Sequence, residues 1–171
     1  DNIYFVHNVK SPIRNSNYDW KKVLPGNDSS LIWTEFYPFE NIPQILNPSS
    51  GYIFSTNQNP FFVTANEDNL LPENYNPTMG FQTRTTNRAY RAYELLDKDT
   101  SISFNEISQY KHDNKFSYNS RQYRFMSEIF NHKFSDKKLI NAQEFLAEWD
   151  LGTDSNNLQA AFGVCILSPE W

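Results

Sequence analysis

The sequence predicts an α+β fold, with short strands and loops over roughly residues 1–60 and mainly helices from about residue 86 onward. Three observations carry that reading. Apolar residues in the first part come as short aromatic runs broken by Pro, Asn and Gly, as strands and turns require. Capping patterns followed by apolar residues at helical spacing are confined to the second part. Between them, residues 61–85 are rich in Asn, Pro and Glu and show no periodicity, which marks a long connection. With 171 residues, 39% apolar and 16% aromatic, there is material for one core, so residues 1–171 are read as one segment with these three regions.

The first part holds Tyr4-Phe5-Val6, Ile32-Trp33 and Phe36-Tyr37-Pro38-Phe39 as extended, loop-rich backbone. Residues 50–58 are its clearest strand: Pro48 and Gly51 turn the chain, Tyr52 to Phe54 favour extended backbone, and Pro60 stops it. From Thr86 the period becomes helical. Thr86 or Asn87 caps a helix with Tyr90, Tyr93 and Leu96, ending near Asp97-Lys98-Asp99. Ser103-x-x-Glu106 is a capping box ahead of Ile107 and Tyr110, and Asn141-x-x-Glu144 is a weaker relative ahead of Phe145, Leu146 and Trp149. Between these two, residues 118–132 place Gln122, Phe125, Met126, Ile129 and Phe130 on one side. Finally Leu158, Ala161, Phe162, Cys165 and Ile166 form a stripe on a fifth helix, which Ser168-Pro169 ends.

Charge and composition exclude several functions. A net charge of -5, from 20 acidic and 15 basic residues with no Lys/Arg block, argues against nucleic acid as a partner. No apolar run approaches the ~18 residues of a membrane span, and the first residues lack the features of a signal peptide. Cys165 is the single cysteine, forms no internal disulfide, and on an apolar stripe reads as an inert buried thiol. His7, His112 and His132 lack the spacing of a zinc site. Asp97 and Asp99 lack the Gly and distant Glu of a calcium loop, and Ser49 and Ser50 lie in no Gly-x-Ser-x-Gly elbow.

The chemistry concentrates at Asn57 and Asn59, where apolar extended backbone runs into a cluster of side-chain amides. A carboxamide held on rigid backbone is a neutral hydrogen-bond donor, suited to an oxygen that gains charge in a transition state. A polar strand end capped by an Asn-rich loop is the alternative. The aromatic content, ten Tyr and fourteen Phe, also fits a non-catalytic helical module whose face binds a protein or a glycan.

The run Asn47-Pro48, Gly51-Tyr52-Ile53, Asn57 and Pro60, followed by Asn87-Arg88-Ala89-Tyr90-Arg91 and Leu95-Leu96, resembles the penicillin acylase family of N-terminal nucleophile hydrolases. Tyr18-Asp19-Trp20, Leu24-Pro25-Gly26, Trp33, Pro38-Phe39, Ile42-Pro43 and Trp149-Asp150 with Asp154-Ser155 extend the likeness from about Tyr18 to the end, closest to the branch of acyl-homoserine-lactone and aculeacin acylases. The resemblance implies an internal part of the large β subunit of an αββα hydrolase, cut with its small α subunit from one precursor and periplasmic or secreted. It implies that Asn57 donates to the oxyanion, with Asn59 as the fallback if the alignment slips. It also implies that Arg88 supports Asn57 and the free α-amino group of the nucleophile, with Arg91 as the fallback. Residue 1 is Asp, so the Ser, Thr or Cys nucleophile is expected on other polypeptide, and this chain alone is expected to be inactive. The expected substrate is a linear N-acyl amide, such as an acyl-homoserine lactone, a penicillin or a lipopeptide. Some members hold a structural calcium through a carboxylate eleven positions beyond their oxyanion Asn, which lands on Asp68; the accompanying Pro-rich segment is missing near Lys21-Lys22. No other cofactor is expected.

Overall fold

A small antiparallel ribbon opens the fold: β1 (Tyr4–Val6) pairs with β2 (Gln44–Leu46), Phe5 opposite Ile45. Asn47 closes the ribbon at φ 50°, accepting from the Ile3 N–H through Oδ1 (2.9 Å) and donating to Asn2 Oδ1 through Nδ2 (2.9 Å). Asparagine suits this position because it tolerates left-handed backbone better than other residues with a Cβ. This computed structural model describes residues 1–167. The chain divides into two compact units, Asp1–Thr85 and Thr86–Trp171, each taken by itself below.

The strand expected over residues 50–58 does not form. Tyr52 to Phe54 are extended, and the Phe54 N–H donates to the Val63 carbonyl (2.9 Å). The carbonyls a partner strand would use are taken by side chains instead: Thr64 Oγ1 donates to the Tyr52 carbonyl (2.8 Å) and Gln58 Nε2 to the Phe54 carbonyl (2.9 Å). Side chains of this kind compete with a backbone ladder and win where no neighbouring strand is present.

The aperiodic connection after Pro60 is ordered by the same polar chemistry. It makes three short 3₁₀ turns, Asn66–Asp68, Pro72–Asn74 and Pro77–Met79. Asn69 Oδ1 accepts from the N–H groups of Val63 (2.8 Å) and Thr64 (3.2 Å), while its Nδ2 donates to the carbonyls of Thr64 and Ala65. Beneath these contacts Ile42, Ile45, Phe54, Phe61, Val63 and Met79 are buried. Phe61, Tyr75 and Phe81 stack edge-on or tilted with centroids 5.5 to 6.4 Å apart.

The second unit is helical, with five α-helices among the described residues. α1 (Asn87–Leu96) starts at Thr86, whose side chain accepts from the Ala89 N–H (3.2 Å). α2 (Phe104–Lys111) has the expected reciprocal box between Ser103 and Glu106, and α3 (Arg121–Asn131) is capped by Ser120. α4 (Lys137–Ala147) begins earlier than the Asn141 pattern suggests. Asp136 accepts from the Lys138 N–H (2.7 Å) and takes the cap, which leaves Asn141 inside the helix.

α5 (Leu158–Leu167) forms, but it buries a different face from the expected stripe. Leu158 and Phe162 are 79% and 38% exposed and Cys165 is exposed, whereas Ala160, Gly163 and Leu167 are buried. Cys165 is therefore not the buried thiol that the pattern suggests. α5 is apolar on every side, so its period selects no face; close approach selects the one with Gly163. The expected terminator Ser168-Pro169 lies outside the described residues.

The core of this unit is Phe116, Met126, Leu146, Trp149, Leu151 and Leu167, with the Trp149 indole N–H donating to the Gly152 carbonyl (2.7 Å). A Cβ on Gly163 would fall 2.4 Å from Trp149 Cζ3 and 2.6 Å from Cε3, and that ring is only 6% exposed. Gly163→Ala is expected to destabilise this unit by about 1–3 kcal/mol, the range for overpacking a filled core, as a lower denaturant midpoint at unchanged slope. An unshifted midpoint would show that the indole moves aside freely.

Candidate functional site

Three neighbouring carboxamides in the first unit have different fates. Asn59 is closed: it is 7% exposed, its Nδ2 donates to the Arg84 carbonyl (3.0 Å), and its Oδ1 accepts from the Phe61 N–H (2.8 Å). Gln58 is also closed. Its Oε1 accepts from both the N–H and the hydroxyl of Thr56, the latter at 3.0 Å, and its Nε2 donates to Phe54. Asn57, immediately before these two residues, is at φ 60°, is exposed, and has no hydrogen bond to its carboxamide among the described residues. Left-handed backbone in a residue with a Cβ is uncommon and gathers at functional or tightly constrained positions. Of the two asparagines singled out in the sequence, only Asn57 has an amide available to a further partner.

The two arginines divide in the same way in the second unit. Arg91 is held by Asp113 through two parallel bonds, Nε to Oδ1 (2.9 Å) and Nη2 to Oδ2 (2.7 Å), and by Glu94 through Nη1 (2.8 Å). All three side chains are largely buried, 14% to 19% exposed. Hydrogen bonding to Asp113 raises the Arg91 pKa well above its usual value against the opposing effect of burial, and Glu94 adds to it. Glu94 Oε1 also accepts from the Ser117 hydroxyl and from Asn119 Nδ2 (3.0 Å), which makes the group a fastener between α1 and the segment before α3. Arg88, three residues earlier on α1, is exposed and has no ion-pair partner among the described residues.

Asp68 serves the backbone of the first unit. Its carboxylate accepts from the Ser50 N–H (2.8 Å) and from the Ser49 hydroxyl at both oxygens (3.0 Å each). The Ser50 N–H is the main influence holding its carboxyl below the usual range, with partial burial opposing. No group of three His, Cys, Asp or Glu side chains that could hold a metal ion occurs among the described residues. Among the histidines, His7 packs edge-on against Phe81 and is lowered by burial, while His132 packs on Phe134. A concavity of about 280 Å³ beside α3 is lined by Phe125, Glu128, Ile129, His132 and Phe134 and opens broadly to solvent. Of its lining only Glu128 and His132 carry ionisable groups.

The fold class is thus α+β, with a two-stranded ribbon and five helices among the described residues. Over 91% of its length the chain resembles the thermostable penicillin G acylase of Alcaligenes faecalis, with a TM-score of 0.62 at 19% identity, and it spans 26% of that chain. Penicillin G acylase of Escherichia coli is 39% identical over 59 residues, which are 34% of this chain and 7% of that protein. The family model for penicillin amidase matches residues 1–165, and the chain belongs to that family. Among the described residues, no helix is long and apolar enough to cross a membrane.

Proposed function

We propose that this chain is a segment of the catalytic subunit of an amide hydrolase, and that Asn57 gives it a direct part in the reaction. A nucleophile on polypeptide outside this chain adds to the carbonyl carbon of an N-acyl substrate, the carbonyl oxygen takes up negative charge, and the Asn57 amide N–H donates to it. The amide bond then breaks with protonation of the leaving amine, and water hydrolyses the acyl-enzyme. Arg88, exposed and without an ion-pair partner among the described residues, is the second candidate contributor from this chain. Substrates are N-acyl amides with an apolar acyl arm, of which acyl-homoserine lactones, penicillins and lipopeptides are the candidates, and the parent is periplasmic or secreted. The observation that carries this reading is the open Asn57 carboxamide, left-handed and followed directly by two carboxamides already closed on backbone.

Exposed apolar side chains fit a segment of something larger. Phe104 is 88% exposed, Leu158 79% and Ile32 68%. Since the chain spans about a quarter of the solved relative, we assign these faces to the rest of the catalytic subunit and the small α subunit rather than to a separate protein or glycan.

The test is the complete parent enzyme against N-acyl p-nitroanilides with acetyl, phenylacetyl and long-chain acyl arms, comparing Asn57→Ala with Asn59→Ala. Hydrolysis that Asn57→Ala removes and Asn59→Ala largely keeps supports the assignment. A parent that cleaves none of the series, or an Asn57→Ala enzyme as fast as the parent, overturns it.

A further inference from the structure

We propose that Gln58 is a positioning residue whose carboxamide holds Asn57 in its left-handed conformation. The inference rests on the reading of Asn57 as the oxyanion donor. The Gln58 side chain acts as an additional peptide group folded back over its own chain. Its Oε1 accepts from the N–H and hydroxyl of Thr56, two residues earlier, and its Nε2 donates to the Phe54 carbonyl (2.9 Å), four residues earlier. These bonds close a ring of backbone from Phe54 to Gln58. Asn57 is the enclosed residue at φ 60°, and it is exposed while Asn59, just beyond, is buried.

The clamp has a physical task. Left-handed backbone is unfavourable for an L-residue, Asn being among the more tolerant, so an unconstrained Asn57 would spend most of its time in β or right-handed conformations. Either change swings the Cα–Cβ bond and moves the amide away from a fixed oxyanion position. A donor helps only if it stands in place before charge develops, because reorientation during the reaction cancels its advantage. Gln58 removes that reorientation without touching the substrate. It also satisfies the Thr56 N–H and the Phe54 carbonyl, for which no strand ladder is present.

The experiment uses the complete parent enzyme and four proteins: parent, Asn57→Ala, Gln58→Met and the double variant. Methionine keeps the length of glutamine and removes both ends of the clamp. Gln58→Met is expected to lower kcat by about 10- to 100-fold, the scale for a misplaced catalytic group, with KM changed less than about twofold. The double variant should be no slower than Asn57→Ala, because a residue acting through Asn57 has nothing to position once the amide is gone. A crystal structure of the Gln58→Met enzyme should show Asn57 away from its positive φ. If Asn57→Ala is slow and Gln58→Met turns over like the parent, the Gln58 assignment is wrong while the Asn57 reading stands. A lower melting temperature with unchanged kcat overturns it in the same way, since the clamp is then only structural. A double variant slower than Asn57→Ala also overturns the assignment. If Asn57→Ala is itself as fast as the parent, the Asn57 reading falls first and the clamp has no catalytic role.

Discussion

Replacing Asn57 by alanine in the parent enzyme is expected to lower kcat by about 10²- to 10³-fold, the usual cost of one oxyanion donor. KM should change little, because the bond strengthens only as charge develops on the carbonyl oxygen. Stability should be nearly unaffected, since the exposed Asn57 carboxamide has no hydrogen bond to lose among the described residues. Asn57→Asp should be at least as slow: an ionised carboxylate donates nothing and repels the oxyanion. Asn59→Ala provides the contrast. It leaves the Phe61 N–H and the Arg84 carbonyl without their buried partner, which costs about 1–3 kcal/mol of stability and leaves the chemical step largely intact. Stopped-flow acylation beside thermal unfolding separates the two outcomes. A large stability loss in Asn57→Ala with unchanged acylation would assign the carboxamide to packing.

The second large effect concerns Arg91. Arg91→Ala should destabilise the helical unit by about 3 kcal/mol, because Asp113 and Glu94 stay largely buried after their shared cation is gone. Arg91→Lys should recover only part of this, since an ammonium cannot make the two parallel bonds to Asp113. The effect depends on pH with a definite sign. Burial raises the Asp113 pKa, but the bonds from Arg91 and from the Lys115 N–H outweigh it and the net shift is downward. A carboxyl lowered in the folded state adds stability above its unfolded value, about 3.9, and that contribution is lost as pH falls through the lower folded value. The parent should therefore lose stability on acidification below about pH 4, and the gap between parent and Arg91→Ala should narrow there. A gap independent of pH would show that the ion pair contributes nothing. Arg88→Ala, by contrast, should leave stability nearly unchanged and slow the parent enzyme.

Much of the second unit was legible in the sequence because helix starts are local. The caps at Thr86 and Ser103 bond to N–H groups three residues on, within the reach of a pattern. Where a nearer cap competed, at Asp136, the expected start at Asn141 was displaced. The aromatic segment from Tyr52 to Phe54 carried strand propensity, yet propensity supplies no neighbour, and its carbonyls paired with Thr64 and Gln58.

Of the candidate site, residue types and approximate places could be read from the chain, but availability could not. The amide cluster, the two arginines, the helix caps, the α+β class and the family likeness all follow from residues near one another in sequence. Tertiary structure alone decided that Asn59 is closed on Arg84, 25 residues away, and that Arg91 is closed on Asp113, 22 residues away, leaving Asn57 and Arg88 open. It also chose the buried face of α5, through the contact of Gly163 with Trp149. Sequence pattern records what a side chain can bond to; which bond forms depends on which distant atoms the packed chain brings within about 3 Å.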